Sequence, residues 1–475
     1  MTQHTRIGPI LFVHNTTAQS MRLAALVVQS QTEPDPNPLE TDTGETVFTP
    51  LSRVGTMTVW RACFEVPLDR PAWYRCFDEH YDVFPPGAGD LRLGYVSCNG
   101  EEHGDLDRDP RERNAMWARM CKAHRKTPFS LLLHGGDQIY ADEVTTSHPL
   151  TSTWPNDVPD DCTPDALADL ANTLRIGFCD RYLALYSDPD IAWIMARVPS
   201  LTMWDDHDIC DGWGSLRRRA TFSDVGQTLF AAARDAFLMF QCAATEKDIP
   251  SLFLDPGGTS LTRAIRFADL CIVAPDLRSE RGRRQIMGHA GWRSFDQLVN
   301  QGPTGRIFVM SSVPMLGPRL SIFELAMVVF PGMQKYEDDL RDQWQSRAHR
   351  SEWRRMLRQV LRLHETPKTD VTILSGEIHL ATRATMAAKS KELHQLVASG
   401  VAHRPPPRKW AQLLGSLAAV GESPLAGHPI RIRPLPGQSQ RYVAERNYLV
   451  LSRHTDQWTA QWELENRGLT ERLSI

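Results

Sequence analysis

The strongest constraint on this chain is a recurrence. Short apolar runs, each long enough for one buried strand, end in acidic, thiol or imidazole side chains. Four segments share this form: Tyr95-Val-Ser-Cys98-Asn99-Gly100, His134-Gly-Gly-Asp137-Gln-Ile-Tyr140-Ala-Asp142-Glu143, Met203-Trp-Asp205-Asp206-His207-Asp208-Ile-Cys210-Asp211-Gly212-Trp213 and Ile373-Leu-Ser375-Gly376-Glu377-Ile-His379-Leu. The runs Leu91–Ser97, Phe129–His134, Val198–Trp204, Leu270–Ala274, Arg306–Ser311 and Val371–Leu374 read as buried strands. Helical stretches alternate with them at Asn114–His124, Ala166–Tyr186 and Val225–Cys242. Such alternation predicts an α/β core whose strands are covered on both faces. In open α/β folds the strand ends are where sites gather.

Residues 1–88 have a different texture. Met21–Gln29 and Gly55–Pro67 carry β-branched and aromatic residues around the polar loop Gln31–Thr46, which predicts a small β-rich N-terminal module. The chain breakers of Phe84-Pro-Pro-Gly-Ala-Gly-Asp90 mark its end, so the main domain spans 89–475. Val144–Pro164 and the proline-rich His403–Gly437 read as insertions or lids, the second a long, partly irregular excursion. Arg441–Trp462 reads as a hairpin turning at His454-Thr-Asp. With 41% hydrophobic and 23% charged residues over 475 positions, the chain can bury a sizeable core. Its net charge of −4 gives no electrostatic footprint for stable nucleic-acid binding. There is no run of 18 apolar residues, so no membrane span is expected. The N-terminus carries no secretory pattern, and nine scattered cysteines without a CxxC pair fit a cytoplasmic location.

The residue types suggest metal chemistry. Asp137, Tyr140 and Asp142 offer oxygen donors within six residues, suited to hard cations, and phenolate suits Fe³⁺. Four carboxylates and a histidine crowd into Asp205–Asp211. Like charges so close raise one another's pKa, and a bound cation relieves this. His379 offers a nitrogen ligand beside Glu377. Cys98 is either a thiolate ligand, a nucleophile or a small buried apolar residue. The arginines of Pro275-Asp276-Leu-Arg278-Ser-Glu280-Arg281-Gly-Arg283-Arg284 suit phosphate oxygens, or form a solvated loop. Ser311-Ser312-Val-Pro314 ends a further strand and would line the same edge. Together these read as a site for two or more ions of mixed hardness, the arrangement that clamps both oxygens of a phosphoryl transfer.

The blocks YVSCNG, HGGDQIYADE, MWDDHDICDGW, APDLRSERGR and LSGEIH, in that order, resemble the PhoD-like alkaline phosphatase and phosphodiesterase family, over roughly Leu91 to Arg383. The resemblance implies a four-layer α/β/β/α metallophosphoesterase sandwich with a small N-terminal β-sandwich-like domain. It implies a metal-dependent hydrolase of phosphate esters, with a metal-activated hydroxide attacking phosphorus in line. Iron would be held by Cys98, Asp137, Tyr140 and His379, and calcium by Asp137, Asp206 and Glu377, with Mn²⁺ or Mg²⁺ as substitutes. His207 would serve the leaving oxygen, and Arg278, Arg281 and Asn99 the phosphate. Glu377 departs from the family's more usual Asp by one methylene. The alternatives are a phosphodiesterase acting on phospholipid or nucleotide diesters, and an inactive relative that binds a phosphorylated ligand.

Overall fold

The computed structural model describes residues 6–87, 89–318, 342–389 and 391–475. Residues 1–5, 88, 319–341 and 390, which belong to the two expected modules, lie outside the described residues.

Among the described residues the chain forms a mixed α/β fold around two large sheets. The larger begins with Gly468–Leu469, Gln457–Leu464 and Asn447–His454. It continues through Leu91–Val96, Leu131–Gly135, Ser200–Met203 and Arg6–Thr16. It ends with Ser20–Ser30, Met57–Pro67 and Thr49–Val54. Its centre, from Leu91–Val96 to Arg6–Thr16, is parallel.

The smaller sheet runs from Arg263–Arg266 through Leu270–Ala274, Gly305–Ser311, Thr369–Ser375 and Glu392–Val397. It ends with Ala381–Ala387, His428–Arg433 and Glu422–Leu425. Its centre, from Leu270–Ala274 to Glu392–Val397, is also parallel. Both parallel centres include short, wholly buried strands, Leu131–Gly135 and Leu270–Ala274, as sheets covered on both faces require.

Three apolar clusters show what covers them. One joins Ile10, Phe12 and Leu132 of the larger sheet to Trp117, Phe178, Tyr182 and Phe237. These come from the helices Ala115–Lys126, Pro164–Tyr186 and Asp224–Cys242. A second joins Leu11, Val13, Leu133 and Leu201 of the same sheet to Ile272, Phe308 and Leu374 of the smaller one. The third packs Val273, Val309 and Ile373 against Phe295 and Trp353 of the helices His289–Gln301 and Arg350–His364. Ile10 and Phe12 face one cluster and Leu11 and Val13 the other, the two-residue alternation of a strand.

The N-terminal segment departs from a small β-sandwich-like domain. Its long strands extend the larger sheet, and Arg6–Thr16 lies parallel to Ser200–Met203 with Phe12 opposite Ser200. Only Leu39–Thr41, Gly44–Thr46, Ala72–Cys76 and Glu79–Val83 form a separate small sheet. Hairpin signals are local, and they do not tell a free-standing sandwich from an added sheet edge. The proline-rich excursion holds regular elements as well, the helix Arg408–Leu417 and two strands of the smaller sheet. The C-terminal hairpin pairs His454 with Gln457, while Tyr442–Val443 crosses to the smaller sheet. All nine cysteines are unpaired. No described helix is long and apolar enough to cross a membrane.

Candidate metal centre

The carboxyl ends of both parallel centres converge. Cys98 follows Leu91–Val96, Asp137 follows Leu131–Gly135, and Asp205 to His207 follow Ser200–Met203. From the other sheet, Arg278, Ser312, Glu377 and Ser399 follow their strands in the same way. Cys98 (φ 56°), Asp137 (55°) and Glu377 (68°) leave their strands in the left-handed region, as does His379 (52°) two residues further on. Only nine described non-glycine residues have positive φ, so this strain is concentrated here, where surrounding contacts must hold it.

Asp208 supplies much of that hold. Its buried carboxylate accepts from the backbone N–H groups of Asp137 (2.9 Å), Gln138 (3.0 Å), Ile139 (3.3 Å) and Asp205 (2.9 Å), and from Gln241 Nε2 (2.8 Å). One side chain thereby ties the Asp137 loop to the Asp205 loop. Burial, only partly offset by these donors, pushes its pKa up to about 7.

Asp137, Asp205 and Asp206 place carboxylate oxygens within 4.8 Å of one another, and all three residues are buried. Asp205 accepts from Ser312 Oγ (2.6 Å) and from Arg278 Nε. Arg278 also pairs with Asp206 (3.2 Å) and Asp342 (2.6 Å), and donates to the Trp213 carbonyl (2.9 Å). Burial opposes its charge, but the surrounding carboxylates hold it firmly protonated.

The aromatic ligand candidates lie alongside. The Tyr140 hydroxyl is 3.2 Å from His379 Nε2, and the Cys98 thiol is 3.5 Å from Asp137 Oδ2. Ser399 Oγ is 3.2 Å from the Cys98 sulfur and accepts from the His379 backbone N–H at 2.8 Å. His207 stacks on Tyr140 at 4.3 Å and meets Asp142 Oδ2 through Nδ1 at 2.9 Å. Burial works against protonating His207, yet Asp142, Asp206 and Asp137 hold its pKa well above the ordinary imidazole range. Glu377 accepts from Gln343 Nε2 at 2.8 and 2.6 Å.

These residues fit a cation. The Asp137 Oδ1 atom is buried with no hydrogen-bond partner. Burial and then Asp205 raise the Asp137 pKa well above the carboxylate range. Burial with Asp342 does the same to Glu377. The Cys98 thiol is raised by burial and Asp137, and the Tyr140 hydroxyl by burial and Cys98. Each shift has the direction expected where negative charge is held without a counter-ion, and a bound cation reverses it.

Residues 107–336 match the family model of PhoD related phosphatases. The chain is also similar over its whole length to the solved structure of PhoD, with a TM-score of 0.58 at 12% identity, covering 90% of that chain. The chain is thus similar to PhoD related phosphatases over residues 107–336, and to PhoD in its fold. An uncharacterized protein of Saccharomyces cerevisiae is 23% identical over 425 residues, 71% of this chain. The chain spans 60% of the length of that curated relative.

Cys98, Asp137, Tyr140, Asp206, His207, Glu377 and His379 all lie at the converging strand ends. Three expected phosphate contacts have other partners. The Arg278 nitrogens are committed to Asp205, Asp206, Asp342 and Trp213. Arg281 is buried against Asp342 (3.0 Å). The Asn99 side chain donates to the Gln138 carbonyl (3.3 Å) and accepts from Trp117 Nε1 (2.7 Å). Guanidinium and amide groups serve buried carboxylates and carbonyls as readily as phosphate, so residue type alone did not separate the two.

Sequence reasoning did not assign roles to Asp208, Ser399, Gln343, Glu102 or His403. Asp142, an oxygen donor by residue type, is in the structure the partner of His207. The four carboxylates in seven residues signalled that some needed neutralising, but not that Asp208 is served by N–H groups.

Proposed function

We propose that this chain is a metal-dependent hydrolase of phosphate esters, built on an α/β/β/α layering of its two large sheets and flanking helices. One observation carries the reading: three buried carboxylates, Asp137, Asp205 and Asp206, within 4.8 Å of one another, beside a thiol, a phenol and an imidazole. Cys98, Asp137, Tyr140 and His379 suit iron by donor chemistry, and Asp137, Asp206 and Glu377 suit a harder ion such as calcium. When bound, such ions supply Lewis-acid polarisation of the phosphate and acidify water.

The chain's own residues do the rest. His207, held by Asp142 at 2.9 Å, keeps a proton available for the leaving oxygen. Asp208 holds two donor loops in register. Arg278 is a positioning residue that fixes Asp205 and Asp206 and offsets part of their charge, and Asn99 fixes the Cys98 loop to Gln138.

The test is hydrolysis of p-nitrophenyl phosphate and of an alkyl phosphate by Asp137→Ala, Asp206→Ala, His379→Ala and His207→Gln. The first three bring hydrolysis to background while circular dichroism stays native. H207Q lowers kcat by about a hundredfold or more on the alkyl ester, the poorer leaving group. Wild-type rates in D137A would overturn the assignment.

A further inference from the structure

Two imidazole–carboxylate pairs, not one, flank Tyr140. The first is His207 with Asp142. The second is His403, from the loop after Glu392–Val397, with Glu102, from the loop after Leu91–Val96. The His403 ring stacks on His379 at 3.4 Å between centroids and lies 5.6 Å from the Tyr140 ring. Its Nδ1 is 2.7 Å from the Arg404 carbonyl, which can only accept, so Nδ1 carries a proton. Its Nε2 points toward Glu102 Oε1 at 3.5 Å, and this buried atom has no hydrogen-bond partner among the described residues.

The pair is rigidly mounted. Val401 N–H donates to the Ser97 carbonyl (3.0 Å), and the N–H groups of Ala402 and His403 donate to that of Cys98 (3.3 and 3.1 Å). Arg108 donates to the Ala402 carbonyl (3.0 Å), and Arg404 bridges Glu101 (3.3 Å) and Glu112 (3.2 Å). Gly400 sits at φ +81°, where a Cβ would come within 2.9 Å of the His403 carbonyl oxygen. These contacts already fasten the two loops together, so the His403 and Glu102 side chains are not needed as a clamp. Their exposure is graded: the side chain of His403 is 13% exposed and that of Glu102 41%, whereas Cys98, Asp137 and Tyr140 are nearly inaccessible. The pair stands beside His379, between the buried cluster and solvent.

Resting on the phosphoesterase reading, we infer that Glu102 and His403 form the leaving-group subsite, which receives an alcohol bearing hydroxyl or amino groups. A half-exposed carboxylate accepts from such donors and repels a second anionic group. His403 orients that carboxylate and closes the wall beside His379.

The test compares glycerol 3-phosphate with propyl phosphate, which share the phosphoryl group and differ in hydroxyls. Metal-loaded wild type favours glycerol 3-phosphate in kcat/KM by about tenfold or more, the scale of one charge-assisted hydrogen bond. Glu102→Gln and His403→Gln each bring that ratio toward one with metal content unchanged. No wild-type preference, or an equal loss on both esters in both variants, overturns the subsite. If wild type hydrolyses p-nitrophenyl phosphate normally, that failure leaves the phosphoesterase reading standing. If metal-loaded wild type hydrolyses none of the three esters, the phosphoesterase reading falls with the subsite.

Discussion

Asp208 is the residue on which the geometry of the centre most depends. Removing its carboxylate orphans four backbone N–H groups and leaves the buried Gln241 amide with only the Tyr182 hydroxyl as acceptor. Each orphaned buried donor costs about 1–3 kcal/mol. Asp208→Ala is therefore expected to lower unfolding free energy by about 3 kcal/mol or more in urea titration, and to weaken metal retention. A stable D208A chain with full metal content would show that the two loops are held by other means. At the same scale, the raised pKa values of Asp137, Cys98 and Tyr140 predict proton release on metal uptake. Calorimetry in buffers of different ionisation enthalpy reads it directly, and metal binding without proton release would contradict the ligand set.

At the scale of elements, the site exists because strand ends from two sheets approach backbone to backbone. Gly136 stands at that approach, with φ +103° and a would-be Cβ 2.7 Å from Asp205 Cβ and 3.2 Å from Ser312 Cβ. Gly302, after the helix His289–Gln301, also has positive φ but nothing within 4 Å of its would-be Cβ. Gly302→Ala is expected to destabilise by about 1 kcal/mol from backbone strain alone. Gly136→Ala adds overpacking, about 1–3 kcal/mol more, and displaces Asp205. Thermal unfolding with a metal assay separates them, and equal effects would argue against close packing of Gly136 on Asp205 and Ser312.

The strand ends were legible in the sequence because an apolar run stopped by Gly-Asp or Gly-Glu is a local pattern. The joining of the N-terminal strands to the main sheet was not, because the pairing of Phe12 with Ser200 is non-local. His403 went unread because it opens a proline-rich stretch whose composition resembles an ordinary loop.

Over the whole molecule, burial makes the fold acid-sensitive at histidines outside the expected ligand set. His14, His124, His134 and His364 each have a pKa lowered to about 4, chiefly by desolvation. Their folded values lie below the unfolded one, so their contribution is complete above pH 6.5 and is lost as pH falls toward 4. Each contributes up to about 1.4 kcal/mol per pH unit in that window. Asp208, raised to about 7, acts with the opposite sign, because its contribution is present at low pH and lost as pH rises. The difference between wild type and His14→Gln isolates one histidine: the variant's stability is expected to fall less steeply below pH 6.5 by about that amount. Parallel pH profiles for the two proteins would show that His14 is not held neutral by burial.

The most direct test of the central claim, that the converging carboxylates and soft ligands form a hydrolytic metal site, is calorimetric metal titration of chelator-stripped protein, with p-nitrophenyl phosphate hydrolysis followed at each addition. The account predicts saturable binding near two ions per chain, hydrolysis that rises with occupancy, and loss of both in Asp137→Ala. Failure to bind iron, calcium or manganese with no hydrolysis at any addition, or hydrolysis that persists in the stripped protein, would contradict it.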